Sequence, residues 1–218
     1  MIANLLLLLT AAIWGFGFVA QVLGMNYLEP FAFIGARFIL GALSLLPVIW
    51  YLQRQETAAG PGIGYLVYAS CVLGTILFAA SSFQQVGLLY TTASNAGFIT
   101  GMYMVFVPIF GLMLGMATGL VTWLGCIVAA IGLFMLGVND QYRMGYGDLL
   151  QLAGAGIWAL HILAIDHFTK HAPGVQLACG QFVVCAALGI LVSAGFAGET
   201  TTWPQLVAAG ATLIYAGI

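Results

Sequence analysis

The sequence has little charge: four lysines and arginines, six acids and three histidines in 218 residues, 5% charged in all, with a net charge of −2. A soluble domain carries about a quarter charged residues and needs them to keep a wettable surface. Nucleic acid is excluded as a partner, since its recognition needs clustered lysines and arginines. Cysteine is sparse too. Cys71, Cys126, Cys179 and Cys185 lie in apolar runs without a C-x-x-C pair, which indicates neither zinc nor a secreted disulfide framework. No basic region precedes the leading leucine run, which therefore reads as a span rather than a signal peptide. Nucleophile elbows, phosphate loops, metal-ligand spacings and paired intramembrane carboxylates are all missing. No enzyme activity, cofactor or metal is expected.

What the chain has is apolar length. It is 63% hydrophobic with a mean hydropathy of +1.11, so the lipid bilayer is its expected solvent. Helices are predicted at about 5–24, 31–51, 65–89, 91–115, 118–138, 148–169 and 176–197, with an eighth starting near 205. The eighth reaches only roughly 20 Å before Ile218, against a ~30 Å hydrocarbon core. The expectation is seven complete helices plus part of an eighth, from a protein truncated at its C-terminus. In the fourth helix, Gly97, Gly101, Pro108, Gly111 and Gly115 fall on one side at ~100° per residue. Such a stripe lets a neighbouring helix approach closely.

The chain also resembles itself. At an offset of 144, Trp14 meets Trp158, Arg37 meets Gln181, Phe38 meets Phe182 and Ala42 meets Ala186; at 143, Pro61 meets Pro204 and Gly74 meets Gly217. A first unit of five helices, 1–138, is followed by a loop at 139–147 and a partial second unit at 148–218. Five is odd, so the second unit enters the membrane from the other side. That is an all-α integral membrane fold of inverted repeats, a common build of secondary transporters. The cation count favours a cytoplasmic N-terminus, with Arg54 and Lys170 inside and Arg143 outside.

Several strings resemble the drug/metabolite transporter superfamily, in particular the EamA-like permeases. They are the Ala11–Phe18 opening AAIWGFGF, Gly35-Ala36-Arg37-Phe38, the Tyr90–Phe98 entry YTTASNAGF, Val107-Pro108-Ile109-Phe110-Gly111, and Trp123-Leu124-Gly125 followed by Gly132-Leu133-Phe134. The likeness covers essentially the whole chain. It implies ten transmembrane helices in two inverted halves, alternating access, and movement of a small organic metabolite across the plasma membrane. Two departures stand out. The link after helix four, Met116-Ala117-Thr118, lacks the charged pair often found in the family. Helix one lacks the acid that small multidrug carriers of the same superfamily use. The alternatives are a non-transporting assembly module from a truncated permease, or an intramembrane enzyme. Self-association is left open.

Six residues are candidates for the substrate pathway. Arg37, about 9 Å into helix two, either anchors an anionic group with its fixed fork, braces the bundle, or snorkels to the interface beside Glu29. His161 relays a proton or contacts substrate, or is satisfied by a neighbouring carbonyl. Trp14 and Trp158 line a pathway or merely pack. Ser94 and Asn95 open helix four and either hold an anion or cap the helix. Gln84 and Gln85 read as interfacial polar glue.

Overall fold

The computed structural model describes residues 2–54, 61–137 and 144–218, and among these the chain is helical with no strand. The helices are α1 (Ile2–Gly24), α2 (Pro30–Gln53), α3 (Ile63–Gly87), α4 (Ala93–Thr100), α5 (Tyr103–Met113), α6 (Leu120–Gly137), α7 (Tyr146–Thr169), α8 (Gly174–Gly195), α9 (Trp203–Ala208) and α10 (Gly210–Gly217). Among the described residues, five segments are long and apolar enough to cross a membrane: α2, α3, the α4–α5 run Ala93–Met113, α7 and α8. α1 and α6 contain shorter apolar stretches, Leu8–Gly24 and Leu120–Gly132. The protein is a multi-pass membrane protein. Arg143 and most of the 139–147 loop lie outside the described residues.

The fourth span is not the single rod its composition suggests. It bends at Gly101–Met102, where Met102 donates to Ile99 O and Met104 to Gly101 O at 3.0–3.1 Å, one residue tighter than an α-turn. Pro108, further along, has no N–H for the carbonyl of Met104. Cys126 Sγ of α6 donates to that oxygen at 3.5 Å, so a residue expected only to fill space also satisfies a freed backbone group. The small-residue stripe is therefore not continuous. Gly97 sits against the Phe18 ring, Pro108 and Gly111 are buried, and Gly101 is the cap at the bend. Gly115 lies beyond α5 with a φ of 77° and open space around it. Its place there is conformational. The N–H of Met116 returns to Gly111 O and that of Gly115 to Leu112 O, a helix stop that needs a left-handed residue. The eighth helix is likewise two pieces, α9 and α10, parted at Ala209.

The most extensive packing is α2 on α8, followed by α3 on α7 and on α8; α10 lies against α1 and α2. Residues paired by the repeat make paired contacts. A Cβ on Gly74 would meet Gln181 O at 2.8 Å and the Val184 side chain. One on Gly217 would meet Arg37 O at 2.6 Å and the Leu40 side chain. Arg37 and Gln181, like Leu40 and Val184, are 144 apart. Across the α2–α8 crossing, a Cβ on Gly35 would approach Ala186 O at 3.6 Å, and Cys179 Sγ reaches Ala42 O at 3.7 Å. These too are matched pairs at the same offset.

Side chains join the bundle at both ends. At one, the Glu199 carboxylate, from the segment after α8, accepts from the N–H groups of Phe31 and Ala32 at 3.3 and 2.8 Å. These are orphan donors at the start of α2, where Pro30 opens the helix. Asp148 does similar work for α7, accepting from Gly145 N at 2.9 Å and from Thr91 Oγ1 at 2.5 Å. At the other end Ala69, Leu73, Phe168, Ala172 and Leu177 form a core cluster with Tyr65 and Leu66 packed against it. The pairing of Asp166 with Lys170 forms at 2.7 Å on an exposed helix end.

Candidate functional site

A cavity of about 430 Å³ opens between α1, α2, α3, α4, α7, α8 and α10. Four of the six residues singled out from sequence line it: Trp14, Arg37, Trp158 and His161. Gln21, Gln84, Thr100, Gln181 and Tyr215 line it as well. The remaining two candidates do not. Asn95 is half-buried at the entry to α4, and Ser94 is exposed in a separate groove with Gly15, Phe18 and Gly97. The cap of α4 is neither of them but Thr92, whose Oγ1 accepts from Asn95 N at 3.1 Å.

The amides are ordered by one another. Gln84 Nε2 donates to Gln21 Oε1 at 3.0 Å, and Gln21 Nε2 donates to Gly17 O at 3.1 Å. On its other side, Gln84 Oε1 accepts from Trp158 Nε1 at 3.0 Å. Below it, Gln151 Nε2 donates to the Gln84 carbonyl at 2.8 Å and Gln151 Oε1 accepts from Thr100 Oγ1 at 3.3 Å. The network ties α1, α3, α4 and α7 through buried side chains, where an unmade hydrogen bond is costly. Gln84 is thus polar glue between helices, as its place in an apolar span leads one to expect. Gln85 is fully buried and neither of its amide atoms has a partner.

His161 is buried, and its Nε2 lies 2.8 Å from Gln181 Oε1. An amide oxygen only accepts, so with this orientation Nε2 carries the proton. Its partner is therefore a side chain of α8, not the neighbouring carbonyl considered from sequence. The indole of Trp158 stands edge-on to the imidazole at 5.6 Å between ring centroids. Trp14 is half-exposed and meets Tyr103 edge-on at 6.1 Å.

Arg37 is 6% exposed, and its Nε has no hydrogen-bond partner. Its guanidinium carbon lies 4.7 Å from the centre of the adjacent Phe38 ring, which packs on Phe182 at 5.3 Å. Glu29 is exposed, and among the described residues the only ion pair is Lys170–Asp166. The snorkelling arrangement beside Glu29 is not the one adopted.

Sequence reasoning passed over Gln21, Thr100 and Tyr215, and took Gln181 only as the counterpart of Arg37. The signal was present: each is a polar residue inside an otherwise apolar span, where polar side chains face the bundle interior.

Long apolar helices enclosing an amide-rich cavity with one buried guanidinium define a multi-pass α-helical membrane protein with a polar internal site. The chain belongs to the EamA-like transporter family, whose profile matches residues 1–138. Two relatives, both uncharacterized transporters of Archaeoglobus fulgidus, are similar along nearly all of it. One is 31% identical over 215 residues, covering 91% of this chain and 61% of the relative. The other is 30% identical over 229 residues, covering 99% of this chain and 74% of the relative. The chain thus spans about three-fifths of the first and three-quarters of the second.

Proposed function

We propose that the protein is a secondary transporter of the drug/metabolite type, moving a small organic metabolite across the plasma membrane by alternating access. The cavity is the substrate site, and it lies between two inverted repeats of five-helix units, ten helices in a complete pair. The observation that carries this reading is the cavity's lining. It takes both Trp14 and Trp158, and both Arg37 and Gln181, which are two pairs matched by the internal repeat. Substrate sites of inverted-repeat carriers lie at the interface of the repeats. The paired contacts of Gly74 and Gly217 with Gln181 and Arg37 support the same symmetry. Family membership and two relatives named as transporters support transport in general. The volume, about 430 Å³, suits a small solute.

The deciding experiment is counterflow into proteoliposomes across a panel of amino acids, organic acids, sugars and cationic drugs. Preloaded vesicles are expected to accumulate labelled solute of one class above protein-free controls. Correctly folded protein that gives no counterflow for any class overturns the proposal.

A further inference from the structure

We propose that the cavity selects a small organic monoanion and that Arg37 is the residue that binds its carboxylate. The inference rests on the transport reading for its biological sense, but its physical basis is separate. A guanidinium buried among apolar helices is expensive unless a counter-charge and hydrogen-bond acceptors meet it. Here neither does. Arg37 is 6% exposed, its Nε is unpartnered, and no ion pair involves it among the described residues.

The neighbours narrow the partner by elimination. Gln21, Gln84 and Trp158 are committed to one another, Thr100 to Gln151, and His161 to Gln181. Among the described residues no Asp or Glu lines the cavity, and Arg37 is the only Arg or Lys that does. The unmet demand is therefore for one negative charge presented on oxygen acceptors. A carboxylate supplies that charge, and its two oxygens match the donors of a guanidinium fork. A phosphate dianion brings a second charge for which the described lining holds no second Arg or Lys. The rest of the ligand meets an indole and phenyl wall, Trp14, Trp158, Phe38 and Phe182, which favours an apolar or flat body beside the acid group.

The test is equilibrium binding to the protein in nanodiscs, read by intrinsic tryptophan fluorescence and by ligand-induced thermal shift. The probes are acid–amide pairs of nearly equal shape: 3-phenylpropionate with 3-phenylpropionamide, and N-acetylleucine with N-acetylleucinamide. Phenyl phosphate is the dianion probe. Each acid is expected to bind about ten- to hundred-fold tighter than its amide, the usual worth of a charge-assisted hydrogen bond. Phenyl phosphate is expected to bind more weakly than the acids. Arg37→Gln is expected to bring each pair within about two-fold, and Arg37→Lys to keep part of the preference.

Equal binding of acid and amide to the unsubstituted protein overturns the proposal without any variant. So does a preference for phenyl phosphate, or binding of neither acid. An acid preference that survives intact in folded Arg37→Gln overturns the role of that residue. The two readings fail separately. Counterflow without acid preference removes the anion site and leaves transport, whereas acid binding without counterflow removes transport and leaves the site.

Discussion

Gln84 makes three hydrogen bonds to two other helices, α1 and α7. Its side chain accepts from Trp158 and donates to Gln21, while its carbonyl accepts from Gln151. Replacing it by leucine of similar bulk leaves the Trp158 N–H and the Gln21 oxygen without partners in a buried place. Gln84→Leu is expected to cost about 1–3 kcal/mol of stability and to lower counterflow further than that loss of folded protein explains. Thermal unfolding in detergent together with transport per folded molecule checks both parts; normal transport with lowered stability would reduce the network to a structural tie. Arg37, His161, Trp14 and Trp158 were legible in the sequence because a charge, an imidazole or a repeated indole inside an apolar span has few bland explanations. Gln21 and Thr100 carry the weaker signal of an uncharged polar side chain in an apolar span, which reads equally well as a local bond to the helix's own backbone. Ser94 and Asn95 lie outside the cavity, which the sequence leaves open: it places them near the helix start but does not say on which side of it they point.

At the scale of elements, the long helices were legible because apolar runs set their existence, and their ends needed only the turn chemistry at residues such as Pro30 and Gly145. The bend at Gly101 was not. Small residues on one side of a helix suit a packing face and a break equally well, and the break shows only in the tightened backbone bonds of Met102 and Met104. Close crossings give sharper predictions. A Cβ on Gly147 of α7 would stand 2.7 Å from both Gly87 O and Tyr90 C, whereas nothing lies within 4 Å of one on Gly156 in the same helix. Gly147→Val is expected to destabilise by about 1–3 kcal/mol and Gly156→Ala to be neutral or slightly stabilising, as ordinary helix propensity dictates. The same thermal unfolding experiment compares them, and equal effects would refute the crossing. Glu199 makes a third case. Glu199→Ala removes the acceptor at the start of α2 and is expected to cost about 1 kcal/mol. Protection of the Phe31 and Ala32 amides from hydrogen exchange should fall with it, and unchanged protection would show that the cap carries no weight.

For the whole molecule, the contacts sort the connections into two sets. Those around Asn26, Tyr90 and Thr200 belong with the Glu199 and Asp148 caps, and His171 belongs with Tyr65 and the Phe168 cluster, while Arg54 ends α2 opposite its Glu199 cap. In a background lacking the four native cysteines, single cysteines at the first three positions should react with an impermeant maleimide from one side of the membrane. Those at Arg54 and His171 should react from the other, and with a cytoplasmic N-terminus the first set is external. Labelling of Asn26→Cys and Thr200→Cys from opposite sides would refute the arrangement. The crossings of Gly74 and Gly217 against the carbonyls of Gln181 and Arg37 have a steric consequence. Bulk added at either glycine would run into a backbone oxygen and into a neighbouring side chain, Val184 for Gly74 and Leu40 for Gly217. Those oxygens belong to Arg37 and Gln181, residues of the cavity wall, so the backbone that carries two lining side chains is held in place by two positions that have no side chain of their own.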